Sequence, residues 1–149
     1  MERQSKNEKL LQYFKDICRI PRQTGDEEAI SQYLLDFAKA RGLQAERDAH
    51  HNVLIRKPST IPGYKGPTVI VQGHMDIVYE KSADSTHKYE DGIHVVEEDG
   101  YLKSADGTSL GADNGLAVAY AMDLLNRNDL PLPCLLYTSP SPRDSTSSR

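Results

Sequence analysis

Two short stretches of this chain carry residue types that can hold a cation and polarise what it touches. The first is Gly73-His74-Met75-Asp76, at the end of an apolar run. In an extended chain residues two apart share a face, so His74 and Asp76 can point at one spot. A histidine that ligates a metal through one ring nitrogen is oriented by a carboxylate or carbonyl on the other. His74 therefore reads as a ligand and Asp76 as its partner. A strand-end histidine hydrogen-bonded to a nearby aspartate has the same sequence, and the chain has five histidines, so the triplet alone leaves both readings open. The second stretch is Ser109-Leu110-Gly111-Ala112-Asp113-Asn114-Gly115. Asp113 stands at the mouth of an expected helix. It is either an ordinary N-cap or a carboxylate bridging two metal ions about 3.5–4 Å apart, with Asn114 taking over the capping. Gly111 and Gly115 allow close backbone approach. The stretch is not a phosphate loop: Gly107 and Gly111 enclose only three residues, and no Gly-Lys-Ser/Thr follows.

These residues need elements to place them. Leu10, Leu11, Phe14, Ile17 and Cys18 fall at helical spacing over residues 9–20, which predicts one buried stripe ended by Pro21. Thr24 and Glu27 form an S/T-x-x-E capping box. A second helix follows, with Ala29, Ile30, Tyr33, Leu34, Phe37 and Ala38 inward and Gly42 just beyond its end. Residues 52–56 predict a short strand. Residues 68–72 form an unbroken apolar strand of the kind buried on both faces of a sheet and stopping at Gly73. Residues 94–97 and 101–103 flank Asp99-Gly100, a hairpin turn signal. Leu116, Val118, Ala119, Met122 and Leu125 mark a third helix over 114–125. This order predicts an α/β sandwich with a mixed sheet, and Asp76 lies where open α/β sheets place their sites, at a strand's carboxyl end.

Composition narrows the function classes. The 149 residues amount to one domain at most. The net charge is −4 with bases and acids interleaved, so no nucleic-acid partner is expected. No apolar run reaches the roughly 20 residues of a membrane span, and the polar N-terminus has no signal-like apolar segment. The two cysteines, Cys18 and Cys134, make no disulfide framework. A reducing cytoplasm fits, with Cys18 as a small core residue.

Residues 134–149 differ from the rest. They are rich in Ser, Thr and Pro, without periodicity, which predicts a disordered terminus. Residues 134–144 also look like a reading-frame translation of a transposase-type sequencing adapter, a scar to be set aside when reasoning about the fold. The expected division is 1–133 as protein domain and 134–149 as a disordered adapter read-through.

Taken in order, a buried strand ending Gly-His-x-Asp, a hairpin excursion, then Gly-Ala-Asp-Asn-Gly opening a helix resembles the M20 family of co-catalytic metallopeptidases. Residues 71–78 match its first motif and residues 108–115 its second. Lys81, Asp84, His87 and the early Ile20-Pro21-Arg22 are similar to the aminoacyl-histidine dipeptidase branch, also called cytosol non-specific dipeptidases. The similarity covers roughly residues 8–133. It implies a zinc-peptidase-like α/β sandwich, here truncated, and two zinc ions, with manganese or cobalt also suited. His74 and Asp113 would be metal ligands, Asp113 bridging, and Asp76 would be the catalytic-site residue that clamps the His74 imidazole. The implied reaction is hydrolysis of Xaa-His or other dipeptides by a metal-activated water, in a cytoplasmic enzyme that assembles as a homodimer through a further domain.

The same resemblance exposes a gap. The family's general base and a further ligand lie on a later Glu-Glu pair, and another ligand is a late histidine. This chain has no glutamate after Glu98 and no histidine after His94. Asp129 and Asp144 are not credible substitutes. The resemblance therefore predicts the N-terminal part of a catalytic domain, inactive by itself and a weak zinc binder. Two other readings stay open: an M20-type deacylase or amidohydrolase, and a non-catalytic interaction domain of the same fold. His50 and His51 are expected at the surface, His87 in the loop between the motifs, and His94 at the start of the hairpin in a structural role.

Overall fold

In the computed structural model residues 2–139 are described. Three helices, α1 (Glu2–Cys18), α2 (Glu28–Lys39) and α3 (Ala112–Asn126), accompany a four-stranded sheet. Its strands are β1 (Gln44–Arg47), β2 (Val53–Lys57), β3 (Val69–His74) and β6 (Cys134–Ser139), in the order β1-β2-β6-β3. β2 pairs antiparallel with both β1 and β6, and β3 pairs parallel with β6, so the sheet is mixed as expected. A separate hairpin joins β4 (Val95–Glu98) to β5 (Tyr101–Ser104).

The three helices share one core with the sheet. Phe14 and Ile17 of α1, Ile30 and Leu34 of α2, Val118 and Met122 of α3, Val53 and Ile55 of β2 and Leu136 of β6 are all essentially inaccessible. Each large apolar side chain so buried contributes about 1.5–3 kcal/mol. The predicted stripes of α1 and α2 face inward, except that Ala29, expected inside, is exposed and Leu10 and Leu11 are only half-buried. Gly42, at φ 65°, ends α2 in the left-handed region. The Leu43 N–H donates to Ala38 O and the Gly42 N–H to Lys39 O, a Schellman pair. Asp99 and Gly100 both have positive φ, the two-residue turn that an Asp-Gly hairpin demands. Lys57, buried at the end of β2, donates to Leu125 O near the C-terminus of α3, where a cation is favoured.

Three expectations need correction. The strand over 68–72 is not buried on both faces: Val69 is 42% and Ile70 67% exposed, because β3 is an edge strand. It also runs one residue past Gly73, to His74. Thr24 and Glu27 do not form a capping box. Glu27 sits at the N-cap of α2 without a side-chain cap bond, and its carboxylate instead accepts from the Gly25 N–H. Thirdly, residues 134–139 are not outside the fold. They form β6, between β2 and β3, with Cys134, Leu136 and Thr138 inward and Leu135 and Tyr137 half-buried. The sequence signal is the short apolar run Cys134 to Tyr137, outweighed in a compositional reading by the Ser/Pro-rich residues after it. Residues 140–149 of the expected disordered tail, with Asp144, lie outside the described residues.

β6 gives a direct prediction. Cys134 is 5% exposed, and burial pushes its thiol up from the usual range. In a Cys18→Ala chain, Cys134 should react with a thiol reagent at least about tenfold more slowly in the native state than in denaturant. Equal rates would show that the segment hangs free.

Candidate metal centre

The site forms where the end of β3 faces the start of α3. His74 is the last residue of β3. Its Nδ1 lies 3.0 Å from the main-chain oxygen of Asp76 and 3.2 Å from Asp76 Oδ1. A carbonyl can only accept, so Nδ1 carries the proton and donates. That leaves Nε2 on the other side of the ring, 3.2 Å from Asp113 Oδ1. In a neutral imidazole this places a lone pair against a carboxylate oxygen, an arrangement that calls for a positive charge between them. The separation matches the roughly 3.3 Å between two donors on one tetrahedral zinc, given metal–ligand lengths of about 2.0–2.1 Å. The donor pair thus fits a zinc-like cation. The Asp113 carboxylate is 80% exposed, so it is open to solvent on the side away from His74.

Asp113 is therefore not an N-cap. The residue ahead of α3 is Gly111, at φ 75°, and no side chain caps this end. Asp113 and Asn114 are non-helical within the first turn, and the peptide between them is cis. Asn114 makes no cap bond either; its side-chain oxygen would sit 3.5 Å from a Cβ placed on Gly73. Such a Cβ would also lie 3.2 Å from Ala117 Cβ, so glycine at 73 lets β3 approach α3.

Two residues that the sequence did not mark as functional hold this arrangement. Arg22 is 1% exposed. Its Nη1 donates to Met75 O at 2.8 Å and its Nη2 to Gly111 O at 2.9 Å, so one guanidinium ties the His74–Asp76 turn to the loop that carries Asp113. Burial pushes its pKa down, opposed by Cys18, Asp76 and Tyr89. Gly111 and Gly115 make room for it: a Cβ on either would stand 2.7 Å from Nη2. The close approach expected of these glycines is to an arginine. Thr24 is the second residue. Its hydroxyl donates to Asp76 Oδ2 at 2.6 Å, while backbone bonds from Thr24 to Ile77 and from Ile77 to Arg22 fix the two segments side by side. Asp76, 1% exposed, thus accepts from Thr24 on one oxygen and from His74 on the other. Nothing local in the sequence marks Arg22 as buried; for Thr24, capping was the stronger local reading.

Thr24→Val removes a bond to a charged group, a loss of about 1.5–3 kcal/mol. Asp76 should then hold the His74 ring less firmly, and metal affinity at His74 should fall about 10–100-fold, with Thr24→Ser restoring it. Denaturant unfolding and zinc titration of the three proteins check both effects; a valine variant that binds zinc normally would show that Thr24 only supports the fold.

The other histidines lie elsewhere. His50 is exposed, whereas His51 is half-buried with its Nδ1 enclosed and unpaired, so only His50 faces solvent as expected. His87 is buried, between Tyr79 and Gly92. His94 pairs with Asp106. Neither hydrogen-bonds to His74. No described helix is long and apolar enough to cross a membrane.

No protein-family model matches the chain. It is 37% identical over 130 residues to the cytosol non-specific dipeptidase of Escherichia coli, a match over 85% of this chain and 27% of that protein. Among solved structures it is similar to an aminoacylhistidine dipeptidase from Vibrio alginolyticus, with TM-score 0.83, 32% identity and coverage of 89% of this chain and 27% of that one. A Bacillus subtilis protein described as a dinuclear metal-binding peptidase of the M20 family shares the fold at TM-score 0.55 and 13% identity, over 93% of this chain and 36% of that one. The chain therefore spans about a quarter of the length of the first two.

Proposed function

The chain belongs to the M20 metallopeptidase family, near its aminoacyl-histidine dipeptidases, and on that premise we propose that it supplies one side of a two-metal centre that hydrolyses dipeptides in the full-length enzyme. The observation that carries this reading is the His74 imidazole, held by Asp76 at Nδ1 and facing Asp113 at Nε2. His74 and Asp113 would be ligands to the metal, with Asp113 bridging. Asp76 would fix the tautomer and orientation of His74, and Thr24 and Arg22 would fix Asp76. A bound pair of divalent ions, zinc or in its place manganese or cobalt, supplies Lewis acidity toward the scissile carbonyl and lowers the pKa of water.

Two protein donors fall short of the four or so that a zinc ion takes. The 149-residue chain alone should therefore bind zinc weakly at His74 and hydrolyse nothing. The substrates proposed for the full-length enzyme are small peptides, Xaa-His among them, and its setting is the cytoplasm. The test is an assay of that enzyme on a dipeptide panel with and without chelator. Hydrolysis that stops with chelator and returns with zinc is expected. Chelator-insensitive hydrolysis would end the two-metal reading, turnover of acylated amino acids but not dipeptides would favour a deacylase, and no hydrolysis of either would favour a non-catalytic domain. Turnover by the 149-residue chain itself would contradict the incomplete centre.

A further inference from the structure

A second group of metal-capable side chains gathers at the hairpin, away from His74. His87 comes from the loop after β3, His94 precedes β4 and Asp106 follows β5. One ligand atom of each lies within 4.8 Å of the others, the one such group of three or more among the described residues. His94 Nδ1 and Asp106 Oδ2 are 2.7 Å apart, and the His87 and His94 rings meet edge to face with centroids at 5.9 Å. All three line an open cleft of about 500 Å³, with Asp84 and Asp91 adding acidic groups.

The segments that carry them are fixed to each other. The Ser85 hydroxyl donates to Asp106 O at 2.6 Å, and Lys81 Nζ donates to His87 O at 2.9 Å. The His87 ring is held at both nitrogens. Its Nε2 lies 2.6 Å from Gly92 O, and since that carbonyl can only accept, Nε2 carries the proton. A carbonyl on one ring nitrogen is the usual support of a histidine that ligates through the other. The Nδ1 lone pair receives the Tyr79 hydroxyl at 2.7 Å, so a cation must displace one phenol donor.

We propose that His87, His94 and Asp106 form a zinc site independent of the His74 centre. Two imidazoles and a carboxylate suit zinc and leave a fourth position for water. Bound there, the ion would join the loop carrying His87 to both sides of the hairpin, and its binding energy would add to the stability of that part of the fold.

The test is zinc titration of the 149-residue chain carrying His74→Ala, followed by calorimetry and by the imidazole NMR signals of His87 and His94. One zinc should bind, shifting both sets of signals. His94→Ala and Asp106→Asn should each weaken it at least about tenfold. Both side chains are well exposed or partly so, and circular dichroism checks that the variants stay folded. Tyr79→Phe removes the competing hydroxyl and should tighten binding severalfold. Absence of zinc binding up to millimolar metal, binding indifferent to His94 and Asp106, or failure of Tyr79→Phe to tighten it would each overturn the proposal. None of these outcomes bears on His74, which is absent from every protein in the series.

Discussion

Arg22→Met should destabilise the chain by about 3–5 kcal/mol, the cost of breaking a buried, hydrogen-bonded charge arrangement from one side. Methionine fills most of the volume, so the loss is not chiefly a cavity. It comes from Met75 O and Gly111 O, each left without its guanidinium donor, at about 1–3 kcal/mol for a buried unsatisfied group. Asp76, buried at 1% exposure, also loses a nearby cation. Relief of the arginine's own desolvation offsets part of this. Arg22→Lys should recover only part, because an ammonium is a point charge and cannot span two carbonyls as the planar fork does. Denaturant unfolding of the three proteins gives the answer, and a loss under about 1 kcal/mol for methionine would mean that the two loops are held by their own packing. The prediction reaches function because Arg22 joins the loop of His74 and Asp76 to that of Asp113. A variant that folds but lets them drift should lose metal affinity at His74 before it loses secondary structure.

His74→Ala and Asp113→Asn should have the largest effect on activity in the full-length enzyme. Metal ions contribute several kcal/mol of charge stabilisation in such reactions, and at about 1.36 kcal/mol per factor of ten that amounts to a loss on the order of 10³-fold in kcat/KM. Asp113→Asn keeps the shape but removes the charge that sits 3.2 Å from Nε2. Steady-state kinetics at saturating zinc check both; a loss of tenfold or less in either would remove that residue from the proposed centre.

Much of this arrangement was legible in the sequence because it is written in local pattern. The helical stripe around Phe14 and Ile17, the one around Ile30 and Leu34, the Asp99-Gly100 turn and Gly42 after α2 all depend on neighbours within a few residues. The proximity of His74 to Asp76 is local too, although the strand ends at His74 and the two meet across the residues just after it. What escaped depends on partners far along the chain. Thr24 satisfies a local capping pattern, yet its hydroxyl goes to Asp76, 52 residues away. Arg22 reads as a surface charge until Met75 and Gly111 are brought to it. The glycines at 111 and 115 signal close approach but not to what. Ile70 belongs to an apolar run that predicts burial, but edge position is a property of the sheet order, which no single strand encodes. The β6 segment was misjudged for a compositional reason: its short apolar run, Cys134 to Tyr137, is consistent with a strand, but the Ser/Pro-rich residues after it outweighed it.

The central claim is that His74, with Nδ1 fixed by Asp76, and Asp113 hold one cation between them. The most direct measurement is long-range ¹⁵N–¹H NMR of the His74 imidazole during zinc titration of the 149-residue chain, beside its Asp113→Asn variant. The Nδ1 signal should keep the signature of a protonated nitrogen donating to Asp76, while the Nε2 signal moves on zinc addition, at lower metal in the parent than in the variant. An Nε2 signal unmoved by millimolar zinc, or one that responds identically without the Asp113 carboxylate, would contradict it.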